Sequence, residues 1–231
     1  LILFDPDSER LVFMKKSKTT ASLEIRQFTA EQNRVGLERL MFFSDAVFAI
    51  AITILVLDIH LPSVGDFADE RQLLAILTGL WHKYLAYIIS FWVIGLYWIN
   101  HHRKFLLIKK FDYPLMSLNL LLLMVIAFIP FPTSVISVSA NRIAMVFYAL
   151  VMALAGLFLA FLWLHAAYNH HLIDPHLNRR QRWREAAGPL VIVGFFFLSI
   201  GIAFINQSLV RICWLLIIPV SLITNVRRGA T

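Results

Sequence analysis

The block "RLMFFSDAVFAIAITILVLDI", Arg39 to Ile59, limits most sharply what this chain can fold into. From Ala46 to Leu57 it holds one polar side chain, Thr53. Similar apolar blocks follow at His82–His102, Pro114–Ser134, Ile143–Ala167, Pro189–Asn206 and Ser208–Asn225. About 20 consecutive apolar residues are what a helix needs to cross the hydrocarbon core of a bilayer. The composition agrees, with 59% hydrophobic and 15% charged residues, against about 45–50% and about 25% in soluble domains. The blocks are continuous rather than alternating, which favours helices over a barrel. The expectation is an all-α integral membrane protein with six transmembrane helices.

Residues 1–38 are polar and charged and contain no apolar signal-peptide core, so the first block is expected to act as its own insertion signal. Residue 1 is Leu and the first methionine is Met14, so residues 1–13 carry no functional weight. Seven Lys and Arg fall before or at the start of the first span, through Arg39. Four lie around the second–third connection (Arg103, Lys104, Lys109, Lys110) and four in the fourth–fifth (Arg179, Arg180, Arg182, Arg184). Arg227 and Arg228 close the chain. Only Arg71, Lys83, Arg142 and Arg211 fall on the other side. That asymmetry predicts cytoplasmic N and C termini. It also accounts for the net charge of +7 without a nucleic-acid partner.

On a helix, Arg39, Phe43, Ala46, Ile50, Thr53 and Leu57 alternate steps of four and three. They form one seam, and a seam faces another helix or a symmetry axis. The spacing alone leaves both open, since a Thr bonded to its own backbone is common at plain membrane-helix contacts. Asp45 is a carboxylate near a membrane helix end, where it needs a partner or water. Arg39 lies six residues away, about 120° around the helix, so the two cannot meet. The expected partners are Asn100, His101, His102 and Arg103 in "YWINHHRKF", giving a polar cluster at the cytoplasmic end. Asp58, at the outer end, is a weaker candidate for a cation-concentrating mouth.

Two stretches carry a family resemblance. "RLMFFSD" reads R-x-x-x-F-S-D at the head of a first span, and "YWINHHRKF" closes the second. Both resemble the transmembrane protein 175 family of potassium channels, in its short prokaryotic form with one copy of the motif. The resemblance implies a homotetramer in a cell membrane, of the prokaryotic inner-membrane kind, with residues 39–231 as the channel domain. It implies that the first helix of each subunit lines the pore, with an apolar constriction whose layers match Ile50, Thr53 and Leu57, and Ala46 beside them. Arg39, Phe43, Ser44, Asp45, Asn100 and His101 correspond to the motif network. Potassium ions are then the permeant species, with no cofactor and no T-V-G-Y-G filter; the nearest string is "GLY" at Gly95–Tyr97. The segment 1–38 goes beyond the compact members.

Other functions fit less well. A secondary transporter or proton-conducting carrier would show internal repeats and charges at mid-membrane, and here the charges sit at span ends. A non-conducting structural protein is a third class. No nucleophile triad or phosphate loop points to an enzyme. His170, His171, Asp174 and His176 match no firm metal spacing. Lone Cys213 reads as a small apolar residue, Pro189 as the start of the fifth helix, and Trp81, Trp98, Trp183 and Trp214 as interfacial anchors.

Overall fold

The computed structural model describes residues 6–61, 69–139, 141–169 and 172–229. For residues 6–27, 29, 218 and 220–229 it describes backbone alone. Eight α-helices make up the described residues: α1 (Pro6–Ile54), α2 (Glu70–Gly79), α3 (Trp81–Leu107), α4 (Tyr113–Phe128), α5 (Pro130–Val138), α6 (Arg142–Tyr168), α7 (Arg179–Ile205) and α8 (Gln207–Gly229). A 3-10 turn, Leu55–Asp58, extends α1. Among the described residues there is no strand, only an isolated bridge between Ile108 and Ile173.

Four segments are long and apolar enough to cross a bilayer: Ala30–Asp58, Tyr113–Val138, Arg142–Tyr168 and Arg179–Ile205. The pair α2 and α3, bent by 44° at Leu80, makes a fifth. In α8 the described apolar stretch is shorter, Gln207–Ile217. At 1.5 Å per residue the whole of α1 is about 74 Å long, so its N-terminal part runs well beyond a bilayer core of about 30 Å.

Local chemistry sets the helix ends. Asp112, Asn141 and Asn178 each accept from a backbone amide in the first turn of α4, α6 and α7. Asn178 forms a full capping box with Gln181. Its cap places the start of α7 ten residues before Pro189, which is therefore an interior, buried proline and not a first-turn residue. Hydropathy marks only the apolar part of a helix, whereas α7 opens with two charged, water-facing turns. Pro130 has no amide hydrogen to continue α4, and the chain restarts there as α5. Asn206 alone separates α7 from α8, which pack against each other.

The core centres on α6, whose inward face is rich in small residues: Ala149, Ala153, Ala155, Gly156, Ala160. Small residues let membrane helices approach closely. A Cβ at Gly156 would stand 2.7 Å from Val193, so glycine is required for the contact with α7. Trp214 is buried against Tyr148 and Phe196 in this core. It is not the interfacial anchor expected from its position, because α8 folds back against α3. Polar groups in the core bond to one another: Tyr97 donates to Met152 O at 2.6 Å, and Thr133 donates to Ser90, itself 3.0 Å from Tyr148 Oη.

Candidate functional site

The membrane part of α1 has two sharply different faces. Leu37, Ser44, Phe48, Ala51 and Leu55 are buried against α3, α4 and α5. Arg39, Phe43, Ala46, Ile50, Thr53 and Leu57 are all exposed. At about 100° per residue, the exposed positions from Glu38 to Leu57 span an arc of about 160°. Ala46, Thr53 and Leu57 lie near its middle. Phe43, Ile50 and Leu57 are 51%, 57% and 72% exposed, values no core position approaches. The seam read from spacing is therefore a single face that the described residues leave uncovered.

Thr53 Oγ1 lies 3.0 Å from both Ala49 O and Ile50 O, so its proton points back into the helix. The oxygen's lone pairs are left facing outward. A hydroxyl in that state can only accept, or touch a cation.

The motif residues hold the opposite face. Ser44 donates to Leu40 O at 2.8 Å and accepts from Asn119 Nδ2 at 3.0 Å. Asn119 Oδ1 lies 2.8 Å from His101 Nε2. Because the Asn119 amide already donates to Ser44, its oxygen must accept, and His101 carries its hydrogen on Nε2. All three side chains are buried. Phe48 and Phe105 flank the imidazole, with ring centroids at 5.5 and 4.3 Å. This chain of bonds ties α1, α3 and α4 together.

Asp45 has a different partner from those expected: Trp98 Nε1 donates to its Oδ1 at 2.8 Å. The expected partners have other contacts. Asn100 donates to Leu96 O in its own helix. His102 stacks on Trp98 at 5.7 Å. Arg103 pairs with Glu185 at 2.8 Å, and fully buried Lys104 lies 4.0 Å from the same carboxylate, over the Trp163 ring. Arg39 is exposed, beside a shallow groove with Glu31, Gln32 and Val35. So the polar cluster is really two: one around His101 and a charged one around Glu185.

At the C-terminal end of the span, Asp58 accepts from Ser134 at 2.7 Å and Ser137 at 2.6 Å, and Lys83 donates to its backbone oxygen at 3.0 Å. Its carboxylate is thus shared with α5. In the connection before α4, Asp112 accepts from Leu115 N and from His165. Partial burial would raise the Asp112 carboxyl, but these bonds outweigh it and hold it below the usual range. Of the metal-type residues, Asp174 accepts from the His176 amide, while His170 and His171 lie outside the described residues.

Residues 39–130, which carry the motif, the His101 strand of the network and Asn119, match the family model described as "Endosomal/lysosomal potassium channel TMEM175". A potassium channel of Streptomyces collinus is 39% identical over 180 residues, 74% of this chain and 84% of that one. The chain belongs to the TMEM175 family. A second TMEM175-type potassium channel, from Chamaesiphon minutus, is 35% identical over 84% of this chain and 97% of its own. The crystal structure of a TMEM175 homologue from that organism, described as a lysosomal potassium-selective channel homologue, superposes with a TM-score of 0.71. It is 32% identical, covering 83% of this chain and 99% of that one. The family is one of ion channels, not enzymes. Within the TMEM175 frame, Asn119 and Trp98 are the site residues that sequence reasoning missed. A lone Asn inside "LNLLLLMVIAF" was the available signal for the first.

Proposed function

We propose that the chain is a potassium-permeable channel of the cell membrane, working as a homotetramer. In this reading residues 39–231 form six spans with both termini in the cytoplasm, and residues 1–38 are a cytoplasmic segment. The α1 helices of four subunits surround a central pore. The observation that carries the proposal is the uncovered face of α1, apolar apart from Thr53 between Ala46 and Leu57, in a chain whose relatives are potassium channels.

Four Ile50 side chains around an axis make an apolar constriction. A narrow apolar pore closes by dewetting, because an ion there loses its hydration shell with nothing to replace it. A small rotation of α1 withdraws Ile50 and brings the Thr53 oxygens toward the axis. Their protons are committed to the helix, so four oxygens present lone pairs in place of lost water. Leu57 forms the next apolar layer outward, and Ala46 widens the cytoplasmic approach. A few hydroxyls coordinate weakly, so the preference for potassium is modest. Asp58 stands at the outer end, but each carboxylate is already shared with two serines, so its effect on conduction is small.

The test is the purified full chain in planar bilayers under potassium on one side and sodium on the other. The reversal potential is expected to favour potassium, and Thr53→Val should move it toward zero while the protein still assembles. Flux that saturates and follows a second ion would instead identify a carrier, and a silent bilayer would end the channel reading.

A further inference from the structure

Where α6 ends and α7 begins, the helices part around a pocket of about 920 Å3 that the proposed pathway does not use. Its floor is formed by Trp163, Leu164 and Ala167 of α6, with Ala186 of α7. Its rim carries Tyr168, Arg179, Arg182 and Trp183. The candidate spans flanking it are Arg142–Tyr168 and Arg179–Ile205, and the charged opening turns of α7 put the rim at the end of both.

We propose that this pocket holds an anionic phospholipid, with the phosphate at the arginine rim and an acyl chain along the apolar floor. Three observations support that occupant. First, the charge is one-sided: Arg179 and Arg182 line the pocket, and none of its lining residues is acidic. The nearby acid, Glu185, is paired with Arg103 and lies beside Lys104. Basic pockets between membrane helices are suited to anionic headgroups.

Second, the rim is built rather than loose. The Arg182 guanidinium donates twice to Leu177 O, at 3.1 and 3.0 Å, which sets its direction. The Arg182 carbonyl in turn accepts from Trp163 Nε1 at 2.9 Å, tying rim to floor. Third, the polarity is graded. Trp183 and Tyr168 are exposed aromatic rings at the boundary, as suits the headgroup zone, while the floor is apolar. A soluble anion would use the rim and have no need of the floor. The pocket's volume falls in the range of about 300–1,000 Å3 usual for ligand sites. The site requires only the membrane boundary, not the pore.

Native mass spectrometry of the full chain in detergent tests this, with dioleoyl phosphatidylglycerol against dioleoyl phosphatidylcholine. The glycerol lipid is expected to bind more tightly. Arg179→Ala should lower that preference about fivefold, the worth of one basic residue near anionic lipid. Ala167→Phe, which fills the floor and leaves the charge, should weaken retention of the same lipid. Lys110→Ala, an exposed cation on another turn, should change nothing. The proposal is overturned if both lipids bind alike, if Lys110→Ala acts as strongly as Arg179→Ala, or if Ala167→Phe has no effect. It is equally overturned if glycerol 1-phosphate displaces the lipid, since the site would then be one for free anions.

Discussion

Between Ala46 and Leu57, α1 presents two faces built from nearly the same residue types. Phe48, Ala51 and Leu55 are at most 2% exposed. Ala46, Ile50, Thr53 and Leu57, interleaved with them, are exposed. Hydropathy does not distinguish Leu55 from Leu57. In a membrane, apolarity is a requirement of the solvent, since lipid is as apolar as leucine, and helices associate through packing and hydrogen bonds instead. The difference between the faces is therefore one of partners. One face has α3, α4 and α5 against it; the other has none among the described residues, yet carries the only hydroxyl of the stretch. The inner face should answer to stability measurements and the outer face to conduction.

The largest expected effect is on the inner face. Phe48→Ala removes a ring packed against His101. The water-transfer part of the usual cost is absent in lipid, but the cavity remains, so a loss of about 3 kcal/mol is expected. Thermal unfolding in detergent should show it as a lowered midpoint and reduced yield. An unchanged midpoint would mean that the inner face is not the structural one.

Asn119→Leu comes next. It leaves His101 Nε2 buried without its acceptor and strips Ser44 of one donor. Unsatisfied buried groups cost about 1–3 kcal/mol, and about 2 kcal/mol is expected in the same unfolding assay. Conduction per folded channel should stay near wild type, because the outer face is untouched.

Ile50→Asn crosses to the outer face and should reverse this pattern. An exposed substitution of this kind shifts stability by no more than about 0.5 kcal/mol. In the proposed pore a polar ring would wet the constriction, and closed-state leak should rise about tenfold, equivalent to lowering the barrier by about 1.4 kcal/mol. Single-channel recording in symmetric potassium reads this directly. A large fall in the unfolding midpoint with no leak would make Ile50 a packing residue and erase the distinction between the faces.

Much of this arrangement was legible in the residues, for reasons that also explain the gaps. The fourth span was expected at Ile143–Ala167 and is α6, Arg142–Tyr168, because both of its ends coincide with a change from apolar to polar residues. The fifth began ten residues too late, because its first turns are charged; the capping pair Asn178 and Gln181 was the better signal. The seam of α1 was visible because steps of three and four survive in any straight helix. The partners of Asp45 and Asp58 were not, because they come from other helices. Trp98 was read as a boundary anchor and serves Asp45; Ser134 and Ser137 gave no signal at all, being ordinary serines near a helix end.

Asp58 gives the smallest expected effect and tests where the two faces meet. Its carboxylate accepts from two serine hydroxyls at once, and both bonds shorten to 2.6–2.7 Å as charge-assisted bonds do. Asp58→Asn keeps one acceptor oxygen and turns an amide nitrogen toward the other serine, so about 1 kcal/mol of stability should be lost. Whether conduction also changes depends on where the negative charge is felt. A carboxylate ring open to the mouth would concentrate cations most at low salt, where the Debye length reaches about 30 Å at 0.01 M. A carboxylate held by α5 is already partly compensated, and Lys83 lies at its backbone oxygen. The expected result is a mutant-to-wild-type conductance ratio that stays the same from low to high salt. A ratio that falls only at low salt would mean that Asp58 belongs to the exposed face after all, and that the serines orient its charge toward the pore rather than screening it.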